Sequence, residues 1–191
     1  SQLIIVFENG VGLLPVNERT LITSSSGGDV FIESPNVINK VIKVLSSNYG
    51  SAFPEGTKVT ANYVYGVDTD AKKIWRTDGA SFDVISDFKI QKFLNDNITL
   101  SEKDKYVDLK RLNVKIHYNA FKQDLIFVFY NNIGLSTENR FAVTFNEQTN
   151  TWISFNSWYP VFTESINNVF FSTSLDKFIS IANKPAVDLT V

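Results

Sequence analysis

The 191-residue sequence has no cysteine, no methionine and a single histidine. Without a thiol there is no disulfide, no thiolate nucleophile and no cysteine ligand for a metal, and the redox compartment is left open. One imidazole cannot build a histidine-rich metal site, and any Ser–His–Asp triad would have to use it. That residue, His117, lies between Ile116 and Tyr118 and is expected to be an ordinary strand residue facing solvent. A basic excess is also missing: 18 lysines and arginines against 20 aspartates and glutamates give a net charge of −2. A surface that displaces counterions from nucleic acid needs the opposite balance, so no direct nucleic-acid specificity is expected. No apolar run approaches the ~20 residues of a membrane-spanning helix. The missing methionine extends to position 1, where the chain opens Ser1-Gln2-Leu3. A translated chain needs an initiator, so this sequence is expected to be a processed or partial piece of a longer one; a trimmed Met before Ser1 is the competing reading.

Apolar and aromatic residues are plentiful. The hydrophobic share is 43% against 20% charged, the balance of a globular chain able to bury a sizeable core. Sixteen Phe, 7 Tyr and 3 Trp favour pleated sheet over helix. The most ordered stretch is Phe141–Trp158. Phe141, Val143 and Phe145 alternate, Asn146-Glu147-Gln148-Thr149-Asn150 turns, and Trp152, Ile153 and Phe155 return. Further hairpins are expected over Lys58–Trp75, Val114–Phe129 and Val169–Ile181, with Thr77-Asp78-Gly79 turning into Phe82–Val84. Leu3–Phe7 and Val30–Ile32 read as strands. Two short helices are expected. One covers 35–46, capped by Ser34-Pro35, with Val37, Ile38, Val41, Ile42 and Leu45 at helical spacing. The other covers 86–95, capped by Ser86-Asp87. The expected division is an N-terminal strand/helix segment at 1–57 and a β-hairpin repeat domain at 58–191.

The hairpins share a unit: an apolar residue, then Asn, Asp or Ser, five intervening residues, then two apolar residues. It occurs at Val67-Asp68, Tyr118-Asn119, Phe145-Asn146 and Phe171-Ser172. The polar residue suits a turn because Asn, Asp and Ser bond to their own backbone nearby. The last three copies start 27 and 26 residues apart, since 118, 145 and 171 are their first positions. The fold class is therefore mainly β: repeated antiparallel hairpins, β-propeller-like or a meander sheet, with two short helices.

No motif here carries chemistry. Gly10-Val11-Gly12 lacks a third glycine and a following helix, and Ser24–Gly28 lacks the Gly-Lys-Ser/Thr of a phosphate loop. Asp68-Thr69-Asp70 opens like a calcium loop, but Lys72 stands where the third oxygen ligand belongs, so turn carboxylates are expected. The same stretch faintly matches the Asp-box of sialidases and fails it at Lys72 and Ile74. Asn97-Ile98-Thr99 is a glycosylation sequon, which matters only in a eukaryotic secretory setting. Neither a catalytic residue nor a cofactor is expected. Trp152 and Trp158-Tyr159-Pro160 with Phe162 form the candidate contact surface, because Tyr and Trp supply large amphipathic area at interfaces. Core packing is the competing reading of these aromatics.

The segments YGVDTDAKKIWRTDG (65–79), ISDFKIQKFLNDN (85–97), NAFKQDLIFVF (119–129) and VTFNEQTNTWISFNSWYP (143–160) resemble tail proteins of crAss-like and related tailed phages of gut Bacteroidota, called stabilisation or muzzle proteins. The resemblance covers about 57–183 and only loosely the first fifty residues. It implies a non-enzymatic structural protein of the virion, at the distal end of a short tail, closing or lining the genome exit path. It also implies partners: other tail proteins, copies of itself in a ring, and the remainder of a cleaved precursor, since the family's proteins are longer. The alternative from another class is a receptor- or glycan-binding, even glycan-degrading, β-propeller tail domain.

Overall fold

The computed structural model describes residues 2–15, 19–23, 29–33, 42–98, 114–130, 140–166, 169–173 and 178–181. Among them five antiparallel sheets form, one of them a two-stranded hairpin. Sheet 1 has the order β1 (Gln2–Phe7), β2 (Gly10–Pro15), β5 (Lys43–Ser46), and sheet 2 is β3 (Arg19–Thr23) with β4 (Asp29–Glu33). Sheet 3 runs β6 (Thr57–Val59), β7 (Val64–Asp68), β8 (Lys73–Thr77), β9 (Phe82–Val84). Sheet 4 runs β10 (Val114–Asn119), β11 (Asp124–Tyr130), β12 (Arg140–Asn146), β13 (Thr151–Asn156). Sheet 5 runs β14 (Phe162–Ile166), β15 (Val169–Thr173), β16 (Phe178–Ile181). Sheets 3, 4 and 5 pair sequence neighbours throughout, which is the meander arrangement expected from the aromatic, alternating segments. The sheets do not close into a barrel among the described residues.

Three hairpins carry the same turn. Asp68 pairs with Lys73, Asn119 with Asp124 and Asn146 with Thr151, each across four loop residues. In each, the side-chain oxygen of the first residue accepts from turn N–H groups: Asp70 and Ala71 at 3.0 and 2.8 Å, Phe121 and Lys122 at 3.2 and 3.3 Å, Thr149 at 2.8 Å. The fourth loop residue is left-handed each time, with φ of 55° at Lys72, 56° at Gln123 and 54° at Asn150. A local side-chain cap thus stands in for backbone partners that the reversal leaves unpaired. The copy at Phe171-Ser172 is offset by one. There Thr173 pairs with Phe178, and Ser172 lies within the strand, fully buried.

Sheet 4 is the centre because it is covered on both faces. Alternation sends Val114, Ile116, Leu125, Phe127, Phe129, Val143 and Phe145 to one face. They pack there with Tyr65, Val67 and Ile74 of sheet 3 and with Leu94 and Ile98. On the other face, Ile126, Val128, Tyr130 and Ala142 pack with Phe170 of β15, flanked by Trp158 and Tyr159. Leu125–Tyr130 is therefore apolar at every position, as a strand buried on two sides must be. Sheet 3 in turn fixes Trp75 on its far side. The indole N–H donates to Gly50 O at 2.7 Å, and the ring lies over Gly66, where any Cβ would come within 2.0 Å of it.

Both expected helices need correction. Residues 34–41 lie outside the described residues, but Lys43–Ser46 is strand β5, paired with β2, not the last turn of a helix. The open edge of β2 offered hydrogen bonds that outweighed local helical spacing. The second helix, α1, begins at Gln91 and runs to Asn97, preceded by a short 3-10 turn at Ile85–Asp87. Ser86 does not cap it. Its hydroxyl accepts from Ile74 N at 3.1 Å and donates to Gln91 Oε1 at 2.8 Å, a buried tie to β8 that pulls this segment out of helical register.

Candidate functional site

Two polar arrangements and one exposed apolar edge stand out between and beside the sheets. The first is centred on Glu147, the first loop residue after β12. Its backbone N–H donates to Gln123 O, which aims the side chain inward, where it is buried. Oε1 accepts from Thr60 Oγ1 at 2.8 Å and Tyr65 OH at 3.2 Å, and Oε2 from Tyr118 OH at 3.1 Å. One carboxylate therefore ties sheet 3 to sheet 4. Burial, and then the Glu147 charge, push the Tyr65 phenol far above its ordinary value and Tyr118 up to about 12. Beside them Arg76 lies 4.6 Å over the Tyr63 ring, bonds Asn150 Oδ1 at 2.8 Å and approaches Asp83 at 3.5 Å. Tyrosine, glutamate and arginine together could serve glycoside chemistry, but Tyr65 is fully buried, so no substrate atom reaches its oxygen. The group is a structural tie.

The second arrangement overturns the solvent-facing expectation for His117. The ring is buried, with Nε2 2.9 Å from Pro160 O and Nδ1 3.1 Å from Thr163 Oγ1. A carbonyl only accepts, so Nε2 carries the proton and Nδ1 accepts from the threonine. Pro160 O also accepts from Tyr130 OH at 2.9 Å. The histidine thus latches the crossing from sheet 4 to sheet 5 in its neutral form. Burial is the first cause that lowers its pKa to about 4, and the charges of Lys115 and Lys58 add to it.

The third arrangement is β13 and its surroundings. Among the described residues it is an edge strand, its sequence Thr151-Trp152-Ile153-Ser154-Phe155-Asn156 has no charge, and Ile153 and Phe155 are 51% and 62% exposed. The candidate contact residues divide around it. Trp152 packs on Phe127 and Phe145 and donates its indole N–H to Ile85 O at 3.1 Å. Trp158 and Tyr159 are half-buried against the sheet 4–sheet 5 cluster, and Phe162 is exposed. Phe155, which the sequence marks only as part of a returning strand, is the more open aromatic; its place on an edge strand is a property of sheet order, which local sequence does not report.

Asp68 behaves as a turn carboxylate: besides its own turn it accepts from Gly50 N at 3.1 Å. Among the described residues no group of three His, Cys, Asp or Glu side chains is placed to hold a metal, and no helix is long and apolar enough to cross a membrane.

Stacked meanders, self-capped hairpins and buried polar ties define a mainly β protein with an uncharged, exposed sheet edge among its described residues. A family model described as Crassvirus muzzle protein matches residues 1–175, and the chain belongs to that family. It is accordingly a structural component of a crAss-like phage virion and assembles with other virion proteins. Comparison with curated proteins gives no match.

Proposed function

We propose that this chain works at the distal end of the tail, in the muzzle assembly that closes or lines the genome exit path, with no catalytic step of its own. Its partners are other tail proteins, copies of itself in a ring, and the remainder of a cleaved precursor. The observation that carries this reading is the β13 edge. Natural sheets protect free edges with charges, proline or cover, because unpaired N–H and C=O groups recruit another chain. β13 has no charge and carries two exposed apolar side chains, and Phe162 and Ile166 on edge strand β14 add 58% and 54% exposed neighbours in sequence. Such a surface suits burial in a closed cyclic assembly. Residues 1–57 form a separate unit in this proposal, docked on the hairpin domain 58–191 through Gly50. Sheets 3 and 4, stacked face to face, are compatible with neighbouring propeller blades.

The test is to charge that edge. Particles carrying Ile153→Glu with Phe155→Glu are expected to lose the chain from their tails. The isolated variant should keep its circular dichroism spectrum and lose only a little in thermal midpoint, since both side chains are exposed and Phe155 gives up one edge-on contact with Phe93. Normal incorporation of the variant overturns the proposal. A second reading, a glycan- or receptor-binding tail domain, is favoured by one feature, a cleft beside Trp158.

A further inference from the structure

The face of sheet 4 turned toward sheet 5 changes character along its length. Where Phe170, Trp158 and Tyr159 cover it, it is apolar; toward the hairpin ends it carries Asn119, Asp124, Thr144 and Asn156 instead. Beside that end lies a cleft of about 140 Å³, with Trp158, Phe170 and Ile126 in its apolar lining. Closed pockets for larger ligands run to roughly 300–1,000 Å³, so this one takes a single ring-sized group.

The polar groups are held but not used up. Asn119 and Thr144 are only 5% and 4% exposed, so they form the floor of a concavity and not an ordinary wet surface. Asn119 Oδ1 is engaged by the turn N–H groups of Phe121 and Lys122, whereas its NH2 donors have no partner among the described residues. Asp124 accepts from Asn146 Nδ2 at 2.8 Å through Oδ1, and Oδ2 has no partner among the described residues. The Lys122 ammonium, at the same rim, is likewise unpaired among them. The indole N–H of Trp158 is buried without a partner. That nitrogen has no open surface, so Trp158 offers the cleft its half-buried ring face and not its N–H.

We propose that this cleft binds one pyranose ring of a neutral polysaccharide. A sugar ring presents apolar C–H faces and hydroxyls that both donate and accept. The cleft offers an aromatic wall beside preset donors on Asn119 and a preset acceptor on Asp124. One lysine against one aspartate leaves no charge preference, which disfavours phosphate or a nucleic-acid backbone. The proposal rests on the second reading above and names its site.

The hairpin repeat supplies a clean variant. Aspartate caps the sister turn at Asp68, so Asn119→Asp keeps the capping oxygen and removes the two free donors. Because position 119 faces Asp124 where Asp68 faces Lys73, Asn119→Ser, which also keeps a capping oxygen, is measured beside it, and both are first checked for an unchanged thermal midpoint. The full chain would be titrated with the methyl glycosides of glucose, galactose, mannose and N-acetylglucosamine, following the Asn119 amide and Trp158 indole signals by NMR, with glycerol as the polyol control. At least one glycoside is expected to bind saturably with a dissociation constant near or below about 10 mM. Asn119→Asp should weaken it tenfold or more, and Trp158→Ala should abolish it. Saturable binding that Asn119→Asp leaves unchanged overturns this site but spares the second reading. No saturable binding, or an equal response to glycerol, overturns both.

Discussion

Protonating one imidazole should loosen the join between sheets 4 and 5. His117 is buried and neutral, its two ring nitrogens occupied by Pro160 O and Thr163 Oγ1. Burial is the largest influence on it; the Pro160 carbonyl and Glu55 favour a charged ring, while Lys115 on its own strand and Lys58 oppose one. Its pKa falls from 6.5 to about 4. A depressed folded-state value means the unfolded chain takes up a proton first as pH falls. The stabilisation is therefore whole above pH 6.5 and is lost as pH drops toward 4. The difference of about 2.5 units, at 1.36 kcal/mol per unit, corresponds to about 3 kcal/mol. Carboxylates titrate near the lower end of that range, so the comparison must be with His117→Gln, which keeps an N–H donor near the Nε2 position and cannot take up the proton. Urea unfolding, followed by tryptophan fluorescence at neutral pH and near pH 4, gives both stabilities. Wild type should lose about 2–3 kcal/mol more than the variant across that interval. Parallel losses in the two proteins would refute the buried neutral latch.

Two further predictions concern the packing of sheet 3. Gly66→Ala would put a Cβ 2.0 Å from a Trp75 ring that is fully buried and tied to Gly50, so the ring cannot move aside. Overpacking of this kind should cost about 1–3 kcal/mol or more, and an unchanged denaturation midpoint would count against it. Glu147→Ala strips the acceptor from Thr60, Tyr65 and Tyr118 and should cost about 2–4 kcal/mol, with Glu147→Gln recovering much of the loss because an acceptor oxygen remains. Tyr118 and Tyr130 are raised from 10.0 to about 12, Tyr118 by burial and then Glu147, Tyr130 by burial first. A raised value means the stabilisation is present below pH 10 and is lost as pH climbs toward 12, which an ultraviolet tyrosine titration would follow. Glu147→Gln should bring Tyr118, and not Tyr130, back toward 10.

How much of this was legible in the sequence depended on range. Hairpins at Asp68, Asn119 and Asn146 were readable because the cap and the turn it closes lie within a few residues of each other. The copy at Ser172 kept the interval but not the role, since Thr173 is the residue that closes that hairpin. Alternation along Phe141–Phe145 identified a buried face, and the unbroken run Leu125–Tyr130 reflects a strand covered on both sides. His117 was misread because its partners Pro160 and Thr163 are 43 and 46 residues away. Glu147 went unnoticed for the same reason: one of its hydroxyl donors, Thr60, is 87 residues distant. The helix expected at 35–46 gave way at Lys43–Ser46 to a pairing with β2 that no local spacing encodes. The candidate contact residues Trp152, Trp158, Tyr159 and Phe162 follow from local aromatic content, whereas the exposure of Ile153 and Phe155 follows from β13 being last in its sheet among the described residues.

The central claim is that this chain works in a tail assembly by burying the β13 edge. Crosslinking mass spectrometry of intact particles tests it most directly, because Lys89 lines the groove beside Ile153 and Phe155 and offers a reactive amine there. The account predicts that the chain is recovered from the tail with Lys89 crosslinked to a second copy or to another tail protein. Recovery of the chain only outside particles, or crosslinks from Lys89 confined to its own chain, would contradict it.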